Sequence, residues 1–244
     1  MNASWTRLLL WTFLALALMA MSCSYSDEVS GPVQTEARSV ALGKAKSVRV
    51  EVSMGAGELK LAGGATELLD ADFTYTSPRW KPEVDYSVSG DRGTLRIRQP
   101  EGGSAHGGQY KWDLRLNNKV PIELVVHLGA GKTDLALGTL SLHEVEVNMG
   151  VGETVVDLTG DWTHDVKASI HGGIGKATVR LPRDVGVKVY ARGGIGEIRR
   201  GDLMTKGDAY VNDVYGKSPV TVLVDVQGGI GEINLKLGEG PVVI

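Results

Sequence analysis

Two histidines that are each followed by an acid are the side chains of this sequence that most resemble a metal site. His143 and His164 stand 21 residues apart, and Glu144 and Asp165 follow them directly. Imidazoles and carboxylates on adjacent turns of a repeat could bind an ion such as Zn²⁺. The alternative is a ladder of solvated side chains, because the spacing slips by two residues when the segments are aligned on the glycines that follow. We favour the ladder and predict no metal site.

A second candidate is Gly131-Lys132-Thr133, which has the residues that end a phosphate-binding P-loop. That loop also needs a glycine five residues before Gly131, and a helix after it. Val126 occupies the required position, and a strand pattern follows Thr133. We interpret the segment as a repeated corner, and we predict no nucleotide or other cofactor.

Paired carboxylates are the third candidate, because sugar-cleaving enzymes place two acids across a groove. Asp70 and Asp72 form one pair, and Glu83 and Asp85 form another. The members of each pair are two residues apart on one face of a strand, where we expect a solvated surface. The sequence contains no Gly-x-Ser-x-Gly motif. We therefore predict no catalytic residues and no enzymatic activity.

The single cysteine of the chain, Cys23, ends an N-terminal apolar segment. Arg7 is the one charged residue before it, residues 8–19 are almost entirely apolar, and Ala20-Met21-Ser22 lead to the cysteine. This order is typical of a secretory signal that is too short to span a bilayer comfortably. An exported chain with one unpaired cysteine would carry an exposed reactive thiol, which requires an explanation.

The segment from Ala20 to Cys23 resembles the lipobox of bacterial lipoproteins. The resemblance implies that residues 1–22 are removed and that Cys23 is acylated, so that its lipid holds the chain on a membrane. Ser24 follows the cysteine where an acid could stand, and in Gram-negative lipoproteins this implies transport to the outer membrane. The alternatives are a plain secretory signal and an uncleaved anchor helix.

Charge excludes one class of partner. Residues 1–22 contain one basic residue and no acid, so their removal changes the formal net charge from −3 to −4. An acidic body of this kind lacks the basic face of a nucleic-acid-binding protein. Residues 23–44 are polar and contain several turn-forming residues, and we interpret them as a flexible, lipidated tether.

The rest of the chain contains an internal repeat. A five-residue signature consists of an apolar residue or glycine, a glycine, a small or aliphatic residue, a glycine, and then Glu or Lys. Three consecutive steps of 21 or 23 residues match one coil of a β-solenoid, and a longer step before the last signature indicates an insertion within residues 203–217. The six signatures occupy residues 54–58, 128–132, 149–153, 172–176, 193–197 and 228–232.

Residues before each signature alternate with a period of two, as in Val145-Glu146-Val147-Asn148-Met149, which predicts strands. Alignment of the coils predicts an inward aliphatic row, an outward polar row, and a second inward row at the corner. The inward row is Val52, Val126, Val147, Ile170, Ala191 and Val226; the polar row is Ser53, His127, Asn148, His171, Arg192 and Gln227; the corner row is Ala56, Ala130, Val151, Ile174, Ile195 and Ile230.

The last signature position carries charges that we expect to pair between adjacent coils. Their sign alternates from Lys132 through Glu153 and Lys176 to Glu197. Glu232 would interrupt the alternation, and we expect the insertion before it to keep Glu197 and Glu232 from being direct neighbours.

The repeat resembles the toast-rack domain family and, with it, the carboxy-terminal region of LiaF-like cell-envelope stress proteins. The resemblance rests on Met54-Gly55-Ala56-Gly57-Glu58-Leu59-Lys60-Leu61, on Leu69–Tyr75 and on the later Gly-Ile-Gly-Glu turns, and it covers roughly residues 48–238. It implies a β-solenoid with one coil per rung. For LiaF-like proteins it also implies a role in restraining a stress-sensing system.

Aromatic residues near a glycine-rich loop are the candidates for a binding site. Trp80, Tyr110 and Trp112 stand out, and residues 102–108 form the loop beside the last two. Exposed aromatic residues at a loop commonly mark recognition of sugars or proteins, whereas buried ones belong to the core or to an end cap.

We therefore predict an all-β, single-chain β-solenoid with coils of about 22 residues. Residues 1–22 are the signal peptide, 23–44 the tether, 45–116 an N-terminal toast-rack β-region and 117–240 the regular coils. The predicted function is that of a non-enzymatic, lipid-anchored envelope protein that is structural or that binds a protein or glycan. The alternative is a regulatory or sensor lipoprotein of the LiaF-like type.

Overall fold

The computed structural model describes residues 32–100 and 108–238, which fold almost entirely as strands of one mixed sheet. Within these residues, the one helical element is a 3-10 turn at Pro78–Trp80. The signal peptide and Cys23 lie outside the described part of the chain. The strands are β1 (Gln34–Val40), β2 (Ser47–Ala65), β3 (Leu69–Tyr75), β4 (Glu83–Ser89), β5 (Arg92–Arg98), β6 (Tyr110–Asn117), β7 (Ile122–Ala136), β8 (Leu142–Asp157), β9 (Val166–Leu181), β10 (Gly186–Arg199), β11 (Met204–Lys206), β12 (Ala209–Val211) and β13 (Thr221–Leu237).

Six long strands, β2, β7, β8, β9, β10 and β13, each carry one copy of the signature. The second signature glycine turns the chain with a φ between 132° and 151°. We call the residues before the corner the first arm and those after it the second arm. The two arms have different partners at the ends of the stack, since the first arm of β2 pairs with β5 and its second arm pairs with β6. The all-β solenoid prediction is confirmed.

The interior lies between the two arms. As predicted, the inward row of the first arm is buried from Val52 to Val226, and only Ala191 is half-buried. Leucine, isoleucine and valine of the second arm, such as Leu135 and Val179, face it. The period-two alternation of the sequence therefore places one aliphatic layer from each arm in a common core.

The corner is glycine-rich because successive coils approach too closely there for a Cβ. A Cβ on Gly152 would overlap the carbonyl oxygen of Gly131, which is its register partner on the preceding coil. The φ of Gly152, 136°, is also one that residues with a side chain rarely adopt.

The third signature position differs from the prediction. Val151, Ile174, Ile195 and Ile230 were predicted to point inward, but they are exposed. Alternation fails here because the corner lies beyond the end of the interior and the following glycine breaks the strand geometry. Leu128 and Met149 fill the interior at the first signature position, and their coils have Ala130 and Val151 at the third position. The later coils have glycine at the first position and isoleucine at the third.

The stacking order also differs from the chain order. The parallel order is β2-β7-β8-β9-β13-β10, so β13 lies between β9 and β10. The insertion after β10 forms the β11–β12 hairpin, which pairs antiparallel with the outer side of β10. That side of β10 is thus occupied at Lys188 and Val189, and β13 pairs with the other side.

Short strands close the N-terminal end of the stack: β5 and β6 pair with β2 in parallel, and β4, β3 and β1 are added antiparallel to them. β5 and β4 extend the first arm of β2, and β6, β3 and β1 extend its second arm.

The tether predicted for residues 23–44 ends earlier than expected, because Gln34–Val40 is a strand that pairs with Leu69–Tyr75 along its whole length.

Candidate functional site

A groove on the outer face of the first arms is a candidate binding site. The strand alternation that buries Val187 and Val189 turns Lys188 and Tyr190 outward. Lys188 lies in register with Leu223 of β13, which lies in register with Lys167 of β9. These three coils form the floor of the groove.

The insertion between β10 and β13 forms its wall. Asn212 is buried and holds the insertion against the end of β10: its Oδ1 accepts a hydrogen bond from the Val187 N–H at 2.9 Å, and its Nδ2 donates to the Val185 carbonyl at 2.7 Å. The turn that follows carries Tyr215 across Gly186. A Cβ on Gly186 would lie 3.5 Å from the Tyr215 Cα, an ordinary contact, and 3.0 Å from the Val220 carbonyl oxygen, which is tight.

The groove has a volume of about 410 Å³ and combines two tyrosines with charged and polar groups. The Lys188 Nζ lies 4.7 Å from the centre of the Tyr190 ring, and the Lys206 Nζ lies 5.3 Å from that of Tyr215. Both distances are within the range of a cation–π interaction. The lining residues are His143, Asp165, Val166, Lys167, Lys188, Tyr190, Tyr215, Thr221 and Leu223.

Electrostatic contacts hold several of these groups in place. Asp165 accepts a hydrogen bond from the Thr221 N–H at 2.8 Å, and the Lys167 Nζ lies 3.7 Å from a carboxylate oxygen of Glu144. Hydrogen bonding to Tyr190 raises the pKa of Lys188. The groove thus presents rigid aromatic surface together with donors and acceptors, which is the composition of a ligand site.

The predicted histidine ladder is present at the edge of this groove. The ring centres of His143 and His164 are 4.4 Å apart, and His164 Nε2 lies 2.9 Å from the Leu142 carbonyl oxygen. Glu144 pairs in register with Lys167 rather than Asp165, which is the two-residue slip noted in the sequence. Residues 32–100 and 108–238 contain no group of three side chains able to hold a metal ion.

The aromatic residues chosen from the sequence are not an exposed surface. Trp80, Tyr110 and Trp112 are all buried, and the Trp112 ring packs edge-on against Phe73 with 5.6 Å between centres. Burial raises the pKa of Tyr110. Of the two alternatives that the sequence left open, the structure supports a place in the core: β6 alternates Tyr110 and Trp112 into the interior, and Trp80 packs against Tyr110 with 6.1 Å between ring centres.

The other chemical candidates lie on the surface of the sheet. Lys132, of the Gly-Lys-Thr segment, continues a strand and pairs in register with Glu153. Asp72 lies 3.0 Å from Arg115, and Arg98 lies 3.2 Å from Asp85, measured between nitrogen and carboxylate oxygen. The described part of the chain also contains no helix long and apolar enough to cross a membrane.

The sequence reasoning missed Tyr190 and Tyr215. The signal for Tyr190 was present, because the alternation Val187-Lys188-Val189-Tyr190 assigns it to the outer face. No such signal existed for Tyr215, since its position depends on how the insertion folds back over β10.

Comparison with known proteins gives one strong likeness. A family model described as the N-terminal domain of toast_rack, DUF2154, matches residues 29–180. A crystal structure of a "putative cell adhesion protein" from Clostridium sporogenes ATCC 15579 is 34% identical with a TM-score of 0.81, and the match covers 84% of this chain and 100% of that one.

Another solved structure is less similar. A "putative adhesin" from Bacteroides fragilis NCTC 9343 is 11% identical with a TM-score of 0.32, and the match covers 83% of this chain and 96% of that one. We base no argument on it. No curated protein matches the chain.

Proposed function

The chain belongs to the toast-rack family, and we propose that it is a non-enzymatic adhesion protein of the bacterial cell envelope. The observation that carries the proposal is the likeness to the "putative cell adhesion protein" of C. sporogenes over the whole length of that chain. A stack of coils suits this role, because it presents an extended binding surface without needing a closed active site.

The proposed anchor is a lipid on Cys23, which lies outside the described residues and rests on the sequence alone. Export with acylation would place the solenoid at the cell surface or in the periplasm, and at the outer membrane in a Gram-negative source. Intact-mass analysis of the membrane fraction tests this. We expect loss of residues 1–22 with added diacylglyceryl and acyl mass, and both should disappear in the Cys23→Ala variant. An unmodified Cys23 with residues 1–22 retained would contradict the anchor.

The proposed ligand of the groove is a carbohydrate. Tyr190 and Tyr215 supply aromatic faces of the kind that stack on the apolar face of a sugar ring, and they lose little conformational freedom when they do so. Lys188, Asp165 and His143 provide donors and acceptors for sugar hydroxyls at the rim of the same space. A binding role also agrees with the absence of a predicted catalytic group.

Binding of the full chain to an array of neutral and acidic glycans tests the groove. We expect Tyr190→Ala and Tyr215→Ala each to weaken binding at least about tenfold, and Tyr190→Phe to retain more of it because the ring remains. Met204→Ala is the matched control, since Met204 is an exposed residue of the same insertion that does not line the groove. Equal binding by all four variants would exclude the groove as the site.

Regulation of an envelope-stress system, as in LiaF-like proteins, stays an alternative prediction. Loss of a stress response on deletion of the gene, with glycan binding absent, would favour it over adhesion.

A further inference from the structure

One edge of the solenoid is open, and it lies at the second arm of β10. In the described residues, Gly193–Arg199 pairs only with β13, and no strand pairs with its outer side. The β11–β12 hairpin reaches Lys188 and Val189 in the first arm but not the second. At the opposite end of the stack, β6, β3 and β1 cover the second arm of β2. An uncovered repeat strand presents a row of unpaired backbone donors and acceptors.

A ladder of charges crosses the second arms and leads to this edge. In stacking order its members are Lys111, Glu58, Lys132, Glu153, Lys176, Glu232 and Glu197. Each of the inner glutamates Glu58 and Glu153 has a lysine as register partner on both sides. Opposite charges in adjacent strands favour this register.

The alternation fails at the last step. Contrary to the prediction from sequence, Glu197 and Glu232 are direct register partners, because β13 lies next to β10. Arg199 lies between them, with nitrogens 2.8 Å from Glu197 and 2.5 Å from Glu232. Glu197 therefore shares one arginine with a second acid, and among residues 32–100 and 108–238 no strand supplies a register partner on its outer side. A cation at that position would continue the alternation of charges along the ladder.

The apolar corner becomes more exposed at the same edge. Val151, Ile174 and Ile230 are exposed by 50%, 52% and 49%, and Ile195 of β10 is exposed by 71%. These residues are register partners in that order and form a continuous ridge, which we call the corner ridge. Exposed isoleucine beside an unprotected strand edge is the combination that natural β-proteins usually avoid unless the edge is paired.

We propose that the end of the second arm of β10, at residues 197–199, pairs edge to edge with the same residues of a second copy of this chain. A two-fold axis makes the two strands antiparallel, and an axis near Ile198 places Glu197 of each copy opposite Arg199 of the other. The interface then places Arg199 of each copy at the outer side of Glu197 of the other copy. A second copy fits this edge better than an unrelated strand. In an antiparallel pair of identical strands, Glu197 faces Arg199 of the other copy, and Arg199 faces Glu197.

The mass of the full-length protein, extracted from membranes in mild detergent, tests the pairing. We expect a dimer for the parent and a monomer for Ile195→Lys, because a lysine at an exposed edge position opposes strand addition. Val151→Lys is the matched control, since Val151 belongs to the corner ridge but lies three strands from the edge, and it should remain a dimer. A monomeric parent at about 100 μM, where an interface of micromolar affinity would be filled, would overturn the proposal.

Charge reversal tests the two-fold geometry. Glu197→Arg and Arg199→Glu each place like charges across the axis and should weaken the dimer at least about tenfold. The double variant exchanges the two charges and should recover most of the lost affinity. If the double variant is as weak as either single variant, the pairing of Glu197 with Arg199 of a second copy is wrong. Neither result bears on glycan binding, because the groove lies on the first arms.

Discussion

Gly172 stands beside open space next to Gln227: a Cβ on Gly172 would lie 3.9 Å from the Gln227 carbonyl oxygen and would meet no other neighbouring atom within 4 Å. Three residues later, a Cβ on Gly175 would overlap the carbonyl oxygen of Gly152. The two positions of this signature are therefore glycine for different reasons. Gly175 is required by the backbone, whereas Gly172 is a position where Leu128 and Met149 stand in neighbouring coils.

This difference predicts opposite effects of one substitution. Gly172→Ala should stabilise the fold by about 0.5–1 kcal/mol, because alanine reduces the entropy of the unfolded chain and meets no obstacle. Gly175→Ala should destabilise it by at least about 2 kcal/mol, since its φ is 140° and the methyl group collides with Gly152 of the preceding coil. Chemical denaturation measures both. Equal effects of the two substitutions would contradict the close approach at the corner.

Trp112 is predicted to act through stability rather than ligand contact. It is 1% exposed and packs against Phe73 and Tyr110, so Trp112→Ala should cost about 3–5 kcal/mol. Tyr190→Ala, which changes the half-buried floor of the groove, should cost much less. Thermal unfolding of both variants provides the comparison. An unchanged midpoint for Trp112→Ala would mean that the ring is not part of the core.

The charge ladder predicts a salt-dependent effect of reversing one lysine. Lys176 stands between Glu153 and Glu232 and lies 3.7 Å from a carboxylate oxygen of Glu232. Lys176→Glu should destabilise the fold by about 1 kcal/mol at low ionic strength, and Lys176→Gln by less. Because the ladder is exposed, the difference between the variants should shrink near 1 M salt. A difference independent of salt would point to packing rather than charge.

Sequence reasoning succeeded where side-chain alternation decides the outcome and failed where long-range pairing does. Val147 and Ile170 were placed correctly because strands expose and bury alternate residues. Ile174 was not, since Gly175 interrupts the alternation one residue later. The neighbours Glu197 and Glu232 depend on the entry of β13 beside β9, and no local pattern encodes a strand order. The groove could not be predicted for the same reason. Its floor depends on the position of β13, and Tyr215 depends on how the insertion folds.

Acid should weaken the fold in part through Glu51. The Arg49 Nε lies 2.8 Å and the Arg96 Nε 2.9 Å from its carboxylate oxygens, and these hydrogen bonds, that of Arg49 first, lower the pKa of Glu51 below its ordinary value of 4.5. A carboxylate with a lowered pKa stabilises the fold above its unfolded pKa and loses this contribution as the pH falls through the folded value.

Glu51→Gln should therefore lower the unfolding midpoint at neutral pH, and the difference from wild type should disappear as the medium becomes more acidic than the folded pKa of Glu51. Unfolding curves recorded from neutral to about pH 2 check this. A difference that persists unchanged at the acid end would assign the role of Glu51 to packing. Glu83→Gln, at an exposed ion pair of the neighbouring hairpin, is a suitable control.

Adhesion itself is the most direct test of the proposed role. Cells of the source bacterium that lack the gene would be complemented with wild type, with a Tyr190→Ala/Tyr215→Ala double variant, or with Met204→Ala, at equal surface amounts. Attachment under flow to surfaces coated with the glycans selected on the array would then be counted. The account predicts attachment with wild type and Met204→Ala, and only background attachment with the double variant. Attachment that does not depend on the gene, or that survives loss of both tyrosines, would contradict it.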